Sequence, residues 1–210
     1  MASYKILTGF LATLFSFSSL AATDNAMSEK GNIDRGRIIA SGTCAACHGA
    51  NGIALIPSYP NLAGQHAKYT VKQLEEFKSG LRANAIMGPM ASPLSAQDMA
   101  DVGAFYETQA AAAGEPSDAA LFTQGKRLFL AGDKLNNIPA CSGCHSPNGK
   151  GIYPNYPRIA GQSGDYVRSQ LNLFKGGIRA NDTNKMMRTV AEKLSENDIE
   201  ALAAYIATLN

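Results

Sequence analysis

Two five-residue segments, Cys44-Ala-Ala-Cys47-His48 and Cys141-Ser-Gly-Cys144-His145, use all four cysteines of this 210-residue chain. In a C-x-x-C-H motif the two thiols add to the vinyl groups of a haem, and the adjacent histidine is placed under the ring, where its imidazole binds the iron. Two motifs therefore imply two covalently bound c-type haems, attached through Cys44 and Cys47 and through Cys141 and Cys144, with His48 and His145 as axial iron ligands. Other uses of a C-x-x-C pair fit less well. A zinc ribbon joins two knuckles across a short spacer, but 93 residues lie between Cys47 and Cys141, and each pair has its own histidine in register. A thioredoxin-like pair needs a βαβ setting, and no alternating strand pattern of useful length is present.

What fills the other axial position decides what the iron can do. Only one further histidine exists, His66, and its counterpart in the second half is Ser163, so it cannot serve two equivalent haems. No cysteine is spare. Methionine remains, with a soft thioether that suits haem iron and raises its reduction potential. At an offset of 100 residues Met87 falls on Met187, whereas Met90 falls on Val190 and Met186 on Ile86. Met87 and Met187 are thus the expected sixth ligands, carried on loops that can cross the open haem face, with Met90 and Met186 as the rivals. The Pro60 and Pro157 carbonyls are candidates to accept the Nδ1 protons of His48 and His145. Tyr69, Tyr166, Gln73, Gln170, Arg82 and Arg179 recur in both halves and are candidates for contacts with haem edges or propionates, or for ordinary packing.

The elements that position these residues are written twice. At an offset of 97 residues Pro57-Ser-Tyr-Pro60-Asn-Leu-Ala-Gly64-Gln65 lies over Pro154-Asn-Tyr-Pro157-Arg-Ile-Ala-Gly161-Gln162, and Phe77-Lys-Ser-Gly80-Leu-Arg82 over Phe174-Lys-Gly-Gly177-Ile-Arg179. The register slips at 182–184 and again at 132–138, where the second half carries extra residues, and such slips belong in loops. Helices are expected over 34–41 and 118–131 before the motifs, and over 67–78 and 165–175 after them. Ser95-Ala-Gln-Asp98 and Ser195-Glu-Asn-Asp198 are S-x-x-D starts of a last helix in each half. The expected fold is all-α: two tandem cytochrome c-like haem domains related by internal duplication, over 22–112 and 118–210, joined by a linker at 113–117.

Residues 1–21 carry a positive start at Lys5, an apolar stretch of about a dozen residues and a small-x-small ending at Ser19-Leu20-Ala21, the pattern of a cleaved secretory signal. That apolar stretch is short against the ~20 residues of a membrane span. The chain is therefore expected in the periplasm, where covalent haem attachment takes place. Its formal net charge of +2 is too small to suggest a nucleic-acid partner. The distribution is uneven: residues 22–115 hold 7 Lys and Arg against 9 Asp and Glu, and residues 116–210 hold 11 against 8. Such a dipolar chain can dock different partners at its two ends.

These motifs, together with the Tyr-Pro-x-Leu/Ile-Ala-Gly-Gln segments and the endings from Met87 to Ser95 and from Met187 to Ser195, resemble the dihaem cytochrome c4 family over nearly the whole exported chain. The resemblance implies His/Met ligation at both irons, haems facing each other across the domain interface, and transport of electrons from a cytochrome bc-type complex or other donor to a terminal oxidase or reductase. Peripheral membrane association would be compatible with it. Two filled axial positions favour an electron carrier over an enzyme, because chemistry at iron needs an open site. The alternatives are a dihaem electron-transfer subunit of a larger dehydrogenase complex and, further off, a dihaem enzyme.

Overall fold

The computed structural model describes residues 1, 30–112, 114 and 118–210, so the expected signal segment and most of the expected linker lie outside the described residues. Ten α-helices account for nearly all regular structure among the described residues: α1 (Ile33–Ile39), α2 (Ala45–His48), α3 (Ala67–Ser79), α4 (Met87–Ala91), α5 (Ala96–Glu107), α6 (Ala119–Ala131), α7 (Ser142–His145), α8 (Gly164–Lys175), α9 (Met186–Ala191) and α10 (Glu196–Ile206). None of them is long and apolar enough to cross a membrane.

The helix ends follow local chemistry. Asn32 caps α1 by accepting from the Arg35 N–H, and Asp118 caps α6 by accepting from the Leu121 N–H. Both S-x-x-D segments form full capping boxes: Ser95 and Asp98 at the start of α5, Ser195 and Asp198 at the start of α10. In the first half α1 continues through a π-helical turn, Ala40–Cys44, directly into α2, so the attachment motif is an extension of the first helix. The extra residues of the second half break that continuity and form a tight loop between α6 and α7, closed by paired backbone bonds between Asp133 and Ile138.

Within each half the first and last helices cross at a glycine. A Cβ on Gly36 would stand 2.0 Å from the Asp101 carbonyl oxygen of α5, and one on Gly125 would stand 1.9 Å from the Ala201 carbonyl oxygen of α10. Only glycine permits that approach of backbones. Around the crossings lie two separate cores, one of Ala40, Val102, Phe105 and Tyr106, the other including Leu128, Phe129, Ile199, Leu202, Tyr205 and Ile206. Helix α3 packs on α5 and α4, and α8 on α10 and α9, so the second half repeats the first.

The halves meet through a two-fold set of polar contacts. The Gln65 amide donates to the Arg158 carbonyl at 2.8 Å and accepts from the Arg158 N–H at 3.0 Å. Its equivalent Gln162 donates to the Asn61 carbonyl at 3.0 Å and accepts from the Asn61 N–H at 2.8 Å. Each glutamine thus pairs with the backbone of the residue equivalent to its own neighbour's, as in an isologous dimer interface. The connecting chain runs against the same region: Gly161, at φ 72°, has the Ala112 carbonyl where a Cβ would be.

Candidate haem sites

Both motif histidines are buried, His48 at 6% and His145 at 8% exposure. Each ring places Nδ1 3.0 Å from a prolyl carbonyl, His48 on Pro60 and His145 on Pro157. A carbonyl oxygen only accepts, so Nδ1 carries the proton and the lone pair is left on Nε2, the form that binds metal. The two carbonyls are held in place by the residues just after them. Leu62 and Ala63 donate to the Gly52 carbonyl at 2.7 and 3.0 Å, and Ile159 and Ala160 donate to the Gly149 carbonyl at 2.8 and 2.9 Å. Burial holds both imidazoles below the ordinary histidine range, against the opposing pull of the prolyl carbonyls. They are therefore neutral near pH 7, as iron ligation requires.

The surroundings fit a flat apolar group. The four cysteines form no disulfide. Cys44 packs on the first core with Leu62 and Leu74, and Cys141 on the second with the equivalent Ile159 and Leu171. Burial pushes the Cys44 thiol up and the Cys141 thiol up to about 11. Large apolar side chains also stand exposed at matching positions of both halves, Leu81 with Ile178 and Ile86 with Met186.

The methionine segments differ from the expected free loops. Met87 opens the short helix α4, and Met187 is the second residue of α9. The Asn84 side chain organises the first by accepting from the Ile86 and Met87 N–H groups at 2.9 and 2.8 Å. Asp182, in the extra residues of the second half, accepts from the Arg188 N–H at 3.0 Å and from its Nε at 2.7 Å. Met87 and Met187 are both half-buried, whereas the rivals Met90 and Met186 are exposed at 38% and 40%.

The repeated arginine, tyrosine and glutamine residues come together in one cluster between the halves. Arg82 donates to Gln73 at 2.7 Å in its own half, and to the Tyr166 hydroxyl at 3.0 Å and Gln170 at 2.8 Å in the other. Arg179 donates to Gln170 at 2.7 Å, to the Tyr69 hydroxyl at 2.9 Å and to Gln73 at 3.1 Å. Each guanidinium also lies over the phenylalanine that begins its segment, Phe77 at 4.6 Å and Phe174 at 4.4 Å. Glu76 brings the cluster its carboxylate, already paired with Lys72 at 2.5 Å and accepting from Asn181 at 2.5 Å. Two buried arginine charges are thus left with neutral acceptors, a positive excess that suits the carboxylates of two haems. Sequence comparison of the halves marked these residues as repeated but did not reveal that they bond to one another across the interface. It also missed Asp101, fully buried, which accepts from the Asn32 N–H and Gln97 and pairs with Arg35 at 3.0 Å. His66 stands edge-on to Tyr153 of the other half at 5.6 Å.

The family model described as Cytochrome c matches twice, over residues 33–109 and 122–210. Cytochrome c4 of Thiocapsa roseopersicina is 43% identical over 182 residues, covering 86% of this chain and 94% of that protein. The thiosulfate dehydrogenase electron acceptor of Stutzerimonas stutzeri strain A1501 is 39% identical, covering 97% of this chain and 94% of that protein. Among solved structures, reduced recombinant cytochrome c4 from Pseudomonas stutzeri superposes with a TM-score of 0.82 at 40% identity, over 86% of this chain and 100% of the other.

Proposed function

The chain belongs to the dihaem cytochrome c4 family of electron-transfer proteins, and on that premise we propose that it shuttles electrons in the periplasm, one per haem, between a respiratory donor and a terminal oxidase or reductase. When bound, each haem supplies a one-electron ferric/ferrous couple. Cys44, Cys47, Cys141 and Cys144 would anchor the two groups covalently, and His48 with Met87 and His145 with Met187 would supply the nitrogen and sulfur that bind each iron. The domain junction falls at 113–117.

One observation carries this reading: the His48–Pro60 and His145–Pro157 hydrogen bonds have the same 3.0 Å length, so both sites are built to one plan. Equivalent histidine sites in both halves, each with a methionine at the matching position, fit two like redox centres rather than one open and one closed iron. The prolyl carbonyls hold each imidazole in one tautomer and one orientation. Leu62 and Leu74 beside Cys44, and Ile159 and Leu171 beside Cys141, would help exclude water from the bound groups. The excess positive charge of Arg82 and Arg179 favours the propionates and ties both sites to one interface.

A second reading is favoured by the relative named as a thiosulfate dehydrogenase electron acceptor: this chain receives electrons from a dehydrogenase as its partner or subunit. Both readings make it a carrier and not a catalyst. The test is an absorption spectrum of the oxidised protein with a haem-to-chain ratio. Two haems per chain with a full-strength near-infrared sulfur-to-iron band support the reading; a high-spin component or a half-strength band overturns His/Met ligation at one iron. Mixing with reduced thiosulfate dehydrogenase then separates the two roles by rate.

A further inference from the structure

We propose that the loop between α6 and α7 is a docking surface for an acidic redox protein that exchanges electrons at the second haem, an inference that rests on the electron-carrier reading above. The first half has no such loop, since α1 runs through its π turn straight into α2. In the second half the chain leaves α6 at Gly132, turns through Lys134, Leu135, Asn136 and Asn137, and returns at Ile138, which is buried in the domain core. Leu135 at the tip is 93% exposed, and Leu130 on the flanking helix is 41% exposed.

An exposed leucine on a mobile loop would mean little, but this loop is built. Asp133 and Ile138 exchange both backbone hydrogen bonds at 2.8 Å. The Asp133 carboxylate accepts from the Leu135 N–H at 2.9 Å, the Asn136 N–H at 3.3 Å and the Asn136 side-chain amide at 2.9 Å. Lys193 reaches over from the α9–α10 turn and donates to the Asn137 carbonyl at 2.9 Å. A preformed apolar tip loses little conformational entropy when a partner covers it.

Position and charge name the partner. Ile138 precedes Cys141 by three residues, so the loop stands within about 11 Å of chain from the thioether attachment. Lys134 lies in the loop, Lys193 bonds to it and Arg127 stands near Asp133, all three exposed cations, against two carboxylates, Asp133, which bonds neutral amide groups and keeps its charge, and Glu192. The half carrying this loop also holds the positive excess of the chain. An apolar tip in a cationic surround fits a partner with an apolar patch ringed by Asp and Glu.

The test uses the reduced holoprotein with oxidised plastocyanin, an acidic one-electron copper protein, as probe. One electron leaves the iron, Fe(II) becoming Fe(III), and Cu(II) becomes Cu(I), with no proton or bond change. Leu135→Ser should slow this reaction about tenfold while leaving oxidation by ferricyanide unchanged, and Lys134→Gln should weaken its dependence on salt. Because Leu135 is solvent-exposed, neither variant disturbs the core. A plastocyanin rate for Leu135→Ser within about twofold of the parent overturns the docking site. If the parent protein exchanges electrons with neither oxidant, the carrier reading fails instead.

Discussion

Arg179 of the second half donates to the Tyr69 hydroxyl of the first at 2.9 Å, and Arg82 of the first donates to Tyr166 of the second at 3.0 Å. Burial by itself would raise the Tyr69 phenol, but Arg179 and Arg82 outweigh it and hold the phenol below the usual tyrosine range. Burial likewise opposes the charge of Arg179, yet Tyr69 and Tyr166 keep it above the ordinary arginine value. The reciprocal pair therefore acts as an electrostatic clasp between two domains that have separate cores.

Breaking the clasp should uncouple the domains. Tyr69→Phe or Tyr166→Phe should each cost about 1.5–3 kcal/mol, the worth of a hydrogen bond to a charged group. Arg179→Met should cost more, because it removes the bonds to Gln170, Tyr69 and Gln73 together and leaves the Tyr69 hydroxyl without its partner. Guanidinium denaturation followed at both haem bands is the measurement. A single transition unchanged in midpoint for all three variants would show that the clasp holds nothing.

The ligand assignment predicts a paired result. Met87→Ala and Met187→Ala should each remove half of the near-infrared sulfur-to-iron band and lower one of the two reduction potentials, since the thioether favours ferrous iron. Met90→Ala and Met186→Ala should leave the band intact. Loss of the band in either of the latter variants reassigns the ligand.

Acid should distinguish the two methionine segments. Burial would raise the Asp182 carboxyl, but its bonds from the Arg188 N–H and side chain hold it below the ordinary carboxylate range. A depressed folded value means that the contribution of Asp182 is complete above the unfolded pKa of about 3.9 and is lost as pH falls through the folded value. Asn84, which organises the Met87 segment, does not titrate in that range. Below about pH 4 the Met187 contribution to the sulfur band should therefore fade before that of Met87, and Asp182→Asn should remove the difference by loosening Met187 at neutral pH. Simultaneous loss at both irons would count against this.

The helix crossings give a test of packing alone. Gly36→Ala and Gly125→Ala each drive a methyl into a backbone carbonyl, at 2.0 and 1.9 Å, and should destabilise their own domain by about 1–3 kcal/mol. Differential scanning calorimetry of the single variants should show which domain melts first. Asp101→Ala should join Gly36→Ala in affecting the first domain, because the position equivalent to Asp101 in the second half is Ala201.

The sequence by itself determined the chemistry. Both attachment motifs, the histidines, the duplicated helices, the two capping boxes and the prolyl carbonyls facing His48 and His145 were legible, because each depends on residues close along the chain and is written twice. The methionines stood out as candidates only by comparing halves, and their short helices were not foreseen, since Asn84 and Asp182 act through turns whose geometry no periodicity encodes. Tertiary structure alone decided the rest. Gln65 meets Arg158 from 93 residues away, and Arg179 meets Tyr69 from 110, through a two-fold relation that exists only once both domains have folded. A repeated residue in sequence announces that two copies share a fold; whether the copies of that residue face solvent, haem or each other is set by how the domains dock, and docking is a balance of surfaces that no local pattern contains.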